Sequence, residues 1–261
     1  MADSAYIQFE RTGRIGVVTL SGPKEMTVIG TGMLRALGAV FREVSSDPAV
    51  KVIILTGKGK VFAAGADIKE MKTMAPDASR EFARLGNEVF DMIEAHPVPV
   101  IAAVNGAALG GGLELVLSVD FAYASSLARF ALPEVTLGLI PGFGGCRRLA
   151  ERIGAAWTKE LACTGRVIEA DEALRLGIVN KVTEPDALMP AALAAAGEIV
   201  AASGNAVRGV KDLICACAGR AAGAATALEI EKFGSIFTHP DAAAGIDAFI
   251  SKTTATWEEH S

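Results

Sequence analysis

The chain has 261 residues, 51% of them hydrophobic, and a formal net charge of −5, enough apolar mass for one large domain or one domain with an appendage. Lysine and arginine are scattered rather than blocked, which leaves no electrostatic footprint for nucleic acid or an anionic membrane. The opening MADSAYIQFE has neither a basic start followed by an apolar stretch nor an Arg-rich amphipathic pattern, so no export or transit signal is read and the cytoplasm is the expected location.

In chain order, IQFERTGRIGVVTLSGP reads as two short strands joined at Thr12 and Gly13. Thr31 to Val44 has helical spacing, with Met33, Leu34, Leu37, Val40, Phe41 and Val44 on one face. The run VKVIILTG predicts a strand covered on both faces. It empties into a glycine loop, GKGKVFAAGADIKEM, from which a helix starts near Asp67. The plan then repeats: a helix from Asp77 to Ala95, a buried strand at VPVIAAVNG, a loop at AALGGG and a helix at LELVLS. Two such units in a row point to a layered α/β core. FAYAS and RFALPE read as short strands running out and back. Beyond Gly144 helices dominate, with a brief strand at IVNKV, and the Ala-rich tail from about Pro190 to Ile250 reads as wholly helical. That composition shift sets an expected boundary between a core at 1–189 and a helical region at 190–261.

The most apolar region, Val98 to Ala124, is interrupted by Asn105, Glu114 and Asp120, which predicts a globular core rather than a membrane span. Cys146, Cys163, Cys215 and Cys217 lack paired metal spacing, and His96, His239 and His260 are the only histidines, so no metal site or disulfide framework is expected. Cys215 and Cys217 read as buried small residues of a helix. GTGMLR at Gly30 lacks the third glycine of a dinucleotide fingerprint, and no G-x-S-x-G elbow occurs.

Chemistry concentrates in the two glycine loops and the acids near them. Glycine lets backbone approach a ligand, and the first N–H groups of a helix have no internal partner. If the N–H groups of Ala66 and Gly111 converge, they form a hole for a carbonyl oxygen becoming an oxyanion. Glu114 falls in the first turn of the second loop's helix, within a run of Leu and Val, and Glu134 follows a proline in FALPEVTLGLIPGFGG. Two carboxylates in low-dielectric surroundings supply a base and an acid together, as adding or removing water requires. The structural alternative is that Glu114 caps a helix and Glu134 sits in a salt bridge.

FAAGADIKEM, VNGAALGGGLELVLSVD and LPEVTLGLIPGFGG, in this order and spacing, resemble the crotonase superfamily, and most closely its short-chain enoyl-CoA hydratases, over about Ile15 to Trp257. The resemblance implies an α/β spiral of strand-strand-helix repeats with a C-terminal helical trimerisation region, and trimers or hexamers built from two trimers. It implies an oxyanion hole from Ala66 and Gly111, backbone around Ala64, Asp67 and Ile68, beside Lys69, holding the adenine of coenzyme A, and Phe249 and Lys252 reaching a neighbouring subunit's coenzyme A. Glu114 and Glu134 fall on the family's two hydratase carboxylates, and Gly142 lies on the wall near the attacking water. The implied reaction is reversible syn addition of water across C2=C3 of a trans-2-enoyl-CoA thioester, with no cofactor beyond the coenzyme A of the substrate itself.

The chain departs from the family pattern at LSGPKEMTVIG, which resembles the cover over the pantetheine arm and where Ser21 and Gly22 replace Asn-Arg. It departs again at GGCRRL and at Thr253, in place of a common Arg. The rival readings are a Δ3,Δ2-isomerase or cyclic dienoyl-CoA hydratase of the same family, or a non-catalytic trimeric scaffold. For Lys252 the rival is a solvated helix lysine.

Overall fold

The computed structural model describes residues 5–22 and 27–257. Positions 1–4, 23–26 and 258–261 include the start of the stretch read for a targeting signal, the centre of the 20–30 segment and His260, and those readings lie to that extent outside the described residues.

β1 (Ile7–Thr12) and β2 (Ile15–Leu20) form the expected antiparallel hairpin. α1 (Thr31–Ser45) follows and buries Met33, Leu34, Leu37, Phe41 and Val44, the face its spacing predicted. From there the chain advances in turns. β3 (Val52–Gly57), β5 (Val100–Val104), β7 (Phe121–Ser125) and β10 (Lys181–Thr183) extend the hairpin into a six-stranded sheet of order β1-β2-β3-β5-β7-β10, parallel after the first pair. β4 (Val61–Ala63), β6 (Ala107–Leu109), β8 (Arg129–Ala131) and β9 (Ile168–Glu169) form a second, four-stranded sheet. Each of the pairs β3/β4, β5/β6 and β7/β8 thus sends one strand to each sheet before the chain turns into helix. This is the α/β spiral of strand-strand-helix repeats.

The small sheet corrects two expectations. VFAAG and AALGGG, read as loops, contain β4 and β6, whose three residues are too short to display an alternating pattern. FAYAS and RFALPE do not run out and back: β7 pairs with β5 and β10, whereas β8 pairs with β6 and β9.

β3 shows why a continuous apolar run forms here. Ile53 and Leu55 enter the main core with α1 and α3 (Pro76–Glu94), while Val52 and Ile54 face the other way, onto Leu188, Ala192 and Ala196 of α8 (Leu188–Ala201). Both faces are covered, so both parities must be apolar. Burial contributes roughly 1.5–3 kcal/mol per large side chain before the entropy of ordering it.

Beyond α8 the tail is helical as expected, in three pieces: α9 (Gly204–Cys217), α10 (Ala222–Ile236) and α11 (Pro240–Ser251). Ser203 caps α9 by accepting from the Ala206 N–H, and its hydroxyl meets buried Asp241 Oδ2 at 2.6 Å. Trp257 Nε1 donates to the Ala201 carbonyl at 2.7 Å, tying the end of the chain back to α8. Cys215 is exposed and Cys217 half-buried, against the expectation of burial, because the C-terminal helices leave whole faces uncovered. Among the described residues no single helix is long and apolar enough to cross a membrane.

Candidate active site

The site lies where the second strands of successive turns end. Gly110 joins β6 to α4 (Gly111–Leu117) with φ +51°, a left-handed conformation that glycine adopts without steric cost, and its N–H donates to the Ala131 carbonyl at 2.9 Å. The next glycine but one, Gly112, packs so tightly on the Ala63 carbonyl that a side chain there would collide with it. The first turn of α4 is therefore pressed against the end of β4 and the loop that follows.

That contact brings two amides to one cavity. Ala66 forms a parallel bridge with Ile29 in which Ile29 N–H donates to Gly65 O (2.8 Å) and Asp67 N–H to Ile29 O (3.1 Å). The pattern passes over the Ala66 N–H. Gly111 is the first residue of its helix, so its N–H has no intrahelical acceptor. Among the described residues neither amide donates to a backbone carbonyl, and both residues line a cavity of about 530 Å³.

Glu114 and Glu134 line the same cavity. Glu114, on α4, is 2% exposed. Its Oε1 accepts from the N–H groups of Phe143 and Gly145, each at 2.8 Å, and no described residue is hydrogen-bonded to Oε2. Burial pushes its carboxyl up to about 7, against the opposing pull of the Gly145 and Phe143 amides; Glu134 adds to the rise and Arg148 to the opposition. Glu134 begins a 3-10 turn (Glu134–Leu137) after β8. Burial raises its carboxyl too, and its Oε2 is buried without a hydrogen-bond partner among the described residues. One structural alternative holds in part: Glu114 does cap a helix, though α5 (Gly145–Ile153) rather than its own, since its Oε1 takes the Gly145 N–H that opens α5 together with the Phe143 N–H before it. The other does not, because Glu134 forms no ion pair among the described residues. The rest of the wall is largely apolar, including Met71, Phe82, Ala83, Leu137, Ile140 and Phe143.

The other predicted residues divide. Ala64, Ile68 and Gly142 line the cavity. Asp67 and Lys69 do not; the Asp67 carboxylate caps α2 (Ile68–Met71), accepting from the Lys69 and Glu70 amides. Phe249 and Lys252 lie at the end of α11, apart from this cavity, with Phe249 86% exposed and Lys252 in a left-handed C-cap. Met71 faces the cavity, while Met74 packs on the core and is not part of the wall.

Two residues behind the wall escaped sequence reasoning. Asn87 on α3 donates to the Gly142 carbonyl at 2.8 Å. Arg148, on α5 (Gly145–Ile153), is buried and donates to the Phe143 carbonyl at 2.8 Å. The only signal for Arg148 was that GGCRRL keeps an arginine there where relatives carry Gly-Gly-Thr-Gln-Arg-Leu, the departures falling on Cys146 and Arg147.

A strand-strand-helix spiral that gathers a buried and a half-buried carboxylate and two unbonded amides around one apolar cavity has the architecture of a crotonase-type acid–base enzyme. Comparison narrows this. Residues 10–260 match the enoyl-CoA hydratase/isomerase family, and the chain belongs to that family. It is 45% identical to a short-chain-enoyl-CoA hydratase of Clostridium acetobutylicum, over 93% of this chain and 94% of that one. It is 41% identical to a crotonyl-CoA hydratase of Syntrophomonas wolfei, over 96% and 97%. Its fold superposes on the crystal structure of an enoyl-CoA hydratase from Bacillus anthracis with a TM-score of 0.93 at 33% identity, covering 97% of this chain and 99% of that one.

Proposed function

We propose that this protein is an enoyl-CoA hydratase, adding water reversibly across C2=C3 of a trans-2-enoyl-CoA thioester to give the 3-hydroxyacyl-CoA. The observation that carries the reading is that Glu114 and Glu134 face the same cavity as the unbonded amides of Ala66 and Gly111. The thioester oxygen rests between the two N–H groups, which stabilise the charge it gains in the enolate-like transition state more than they stabilise the ground state. Glu114 takes a proton from the water attacking C3, and Glu134 exchanges the proton at C2. Burial serves the base, because the Glu114 carboxyl, pushed up to about 7, gives and takes a proton near neutral pH at little cost; burial raises the Glu134 carboxyl as well. Gly142 keeps the wall beside the water thin.

The coenzyme A of the substrate supplies no chemistry of its own and no separate cofactor is invoked. Its adenine lies along the backbone of Ala64, Asp67 and Ile68, with Lys69 alongside. The segment 190–261 serves assembly into a trimer or a hexamer of two trimers. Support comes from the exposed apolar side chains of α9 to α11, including Ile214, Phe233, Phe249 and Ile250, a density that water-facing helices rarely carry unless covered. In that assembly Phe249 and Lys252 reach a neighbour's coenzyme A. The names of the two relatives support acyl chains at the short end.

The test is loss of enoyl absorbance with crotonyl-CoA for wild type, Glu114→Gln and Glu134→Gln. Each change is expected to lower kcat by about 10²- to 10⁴-fold. Activity that survives both changes overturns the roles. Turnover of a 3-enoyl thioester without any of crotonyl-CoA moves the chain to the isomerases, and inertness toward every enoyl thioester points to the scaffold.

A further inference from the structure

The loop from Gly142 to Gly145 is the only described contact that holds the Glu114 carboxylate, through the Phe143 and Gly145 amides. Glycines on both sides of Phe143 leave that loop little intrinsic stiffness. Its geometry is set from behind. Arg148, with a side chain only 1% exposed, reaches the Phe143 carbonyl with Nη1 at 2.8 Å, Glu94 Oε2 with Nε at 2.9 Å and Asp91 Oδ1 with Nη2. Glu94 and Asp91 belong to α3, so the guanidinium bridges that helix to the loop. Asn87, on the same helix, holds the neighbouring carbonyl of Gly142.

We propose that Arg148 is a positioning residue for hydration: braced by Asp91 and Glu94, it holds the Phe143 peptide so that the two amides converge on Glu114 Oε1 and aim the carboxylate at the water. The inference rests on the reading of Glu114 as the base. A planar fork fits the task, because one guanidinium meets a carbonyl and two carboxylates in fixed directions, whereas an ammonium on a flexible stem does not.

The charged and titratable groups facing Glu114 are Glu134 from the turn after β8, and Arg148 and Cys146 from α5. Glu134 raises the Glu114 carboxyl, while Arg148 and the two amides lower it. Replacing the guanidinium by an ammonium keeps the cation but loosens the two amides, whose pull on the carboxyl is the larger. That change pushes the carboxyl upward, away from the ionised form that the attack on C3 requires.

The experiment compares wild type, Arg148→Lys, the double variant Asp91→Asn/Glu94→Gln, and Glu114→Gln, reading kcat and KM for crotonyl-CoA across pH together with thermal melting. Arg148→Lys is expected to lower kcat by about 10- to 100-fold with KM moved by less than about threefold. It also moves the acid limb of the kcat profile to higher pH. The double variant, which frees the guanidinium by altering half-exposed partners, shifts both readouts in the same direction by less. Should Arg148→Lys fail to fold, the double variant decides. A lowered melting temperature with kcat and its acid limb unchanged overturns the proposal, leaving Arg148 a structural residue. If Glu114→Gln retains wild-type activity, it is the reading of Glu114 that falls, and the two failures are thereby told apart.

Discussion

Gly145 both holds Glu114 and makes room for it: its N–H donates to Oε1 at 2.8 Å, and a Cβ on Gly145 would stand 2.7 Å from Glu114 Cγ. The residue opens α5 with an ordinary helical backbone, so alanine is locally acceptable there. Gly145→Ala is expected to change stability by no more than ~2 kcal/mol, since better helix propensity offsets part of the overpacking. Its kcat on crotonyl-CoA is expected to fall by about 10- to 100-fold, because the base is displaced from its water. Thermal melting and steady-state kinetics on one preparation check the contrast; unchanged kcat would show that Glu114 does not need this placement.

Two buried groups give the stability opposite pH slopes. The Glu114 carboxyl, raised from 4.5 to about 7 mainly by burial, makes the folded state hold a proton the unfolded chain has lost, so its contribution declines as pH rises through that window. His96, lowered from 6.5 to about 4 mainly by burial, does the reverse, and its contribution is lost as pH falls from 6.5 to 4. Between about 4.5 and 6.5 the two largely cancel. Glu114→Gln is therefore expected to be more stable than wild type above pH 7 by about 1–3 kcal/mol, and to gain stability on going from pH 4 to 6.5. Denaturant titrations at pH 5, 6 and 8 measure both.

Lys211 of α9 is buried and meets Asp120 Oδ2 at 2.8 Å, while its Nζ also donates to the Val98 carbonyl at 3.3 Å. The pair fastens the C-terminal helices to the start of β5, where Asp120 also accepts from the Val100 N–H. Lys211→Met removes the ammonium from a carboxylate that is partly open to solvent and keeps the Val100 N–H, and is expected to cost about 1–3 kcal/mol. The double variant with Asp120→Asn recovers a large part of the loss. Additive single and double losses would mean that the pair contributes no specific interaction.

The exposed apolar residues of α9 to α11 predict association. Phe233, 67% exposed, packs edge-on against Phe237 on α10, and Ile250, 72% exposed, sits on α11. Wild type is expected to run as a trimer or hexamer in light scattering, and Phe233→Asp with Ile250→Asp to run as a smaller species with weaker coenzyme A binding. A wild-type monomer at micromolar concentration removes the assembly role of 190–261.

The parts of this fold that were legible in the sequence are those whose signal is local. β3 announced itself because both faces are covered, and α1 because six apolar residues recur at helical spacing. Glu114 stood out as an acid in an apolar run. Its partners did not, since the Phe143 and Gly145 amides lie 29 and 31 residues downstream. Arg148 is harder still: Glu94 and Asp91, 54 and 57 residues upstream, accompany its burial, and although it stands where relatives keep an arginine and the half-exposed Arg147 does not, that match says nothing of what the side chain touches. β4 and β6 escaped for a different reason, three-residue alanine-containing strands being defined by their pairing rather than by any pattern of their own.

α1 begins at Gly30, which has no side chain to cap it, and the missing acceptor comes from Glu70: one carboxylate oxygen takes the Thr31 N–H at 2.9 Å and the other the Thr31 hydroxyl. An anion at the positive end of that helix locks α2, with Ile68 and Met71 of the cavity wall, to the start of α1. Re-engineering the acyl range by grafting from a relative therefore calls for a single cassette spanning Ile29 to Met71, because a donor α2 lacking this acid leaves the recipient's first helix bare.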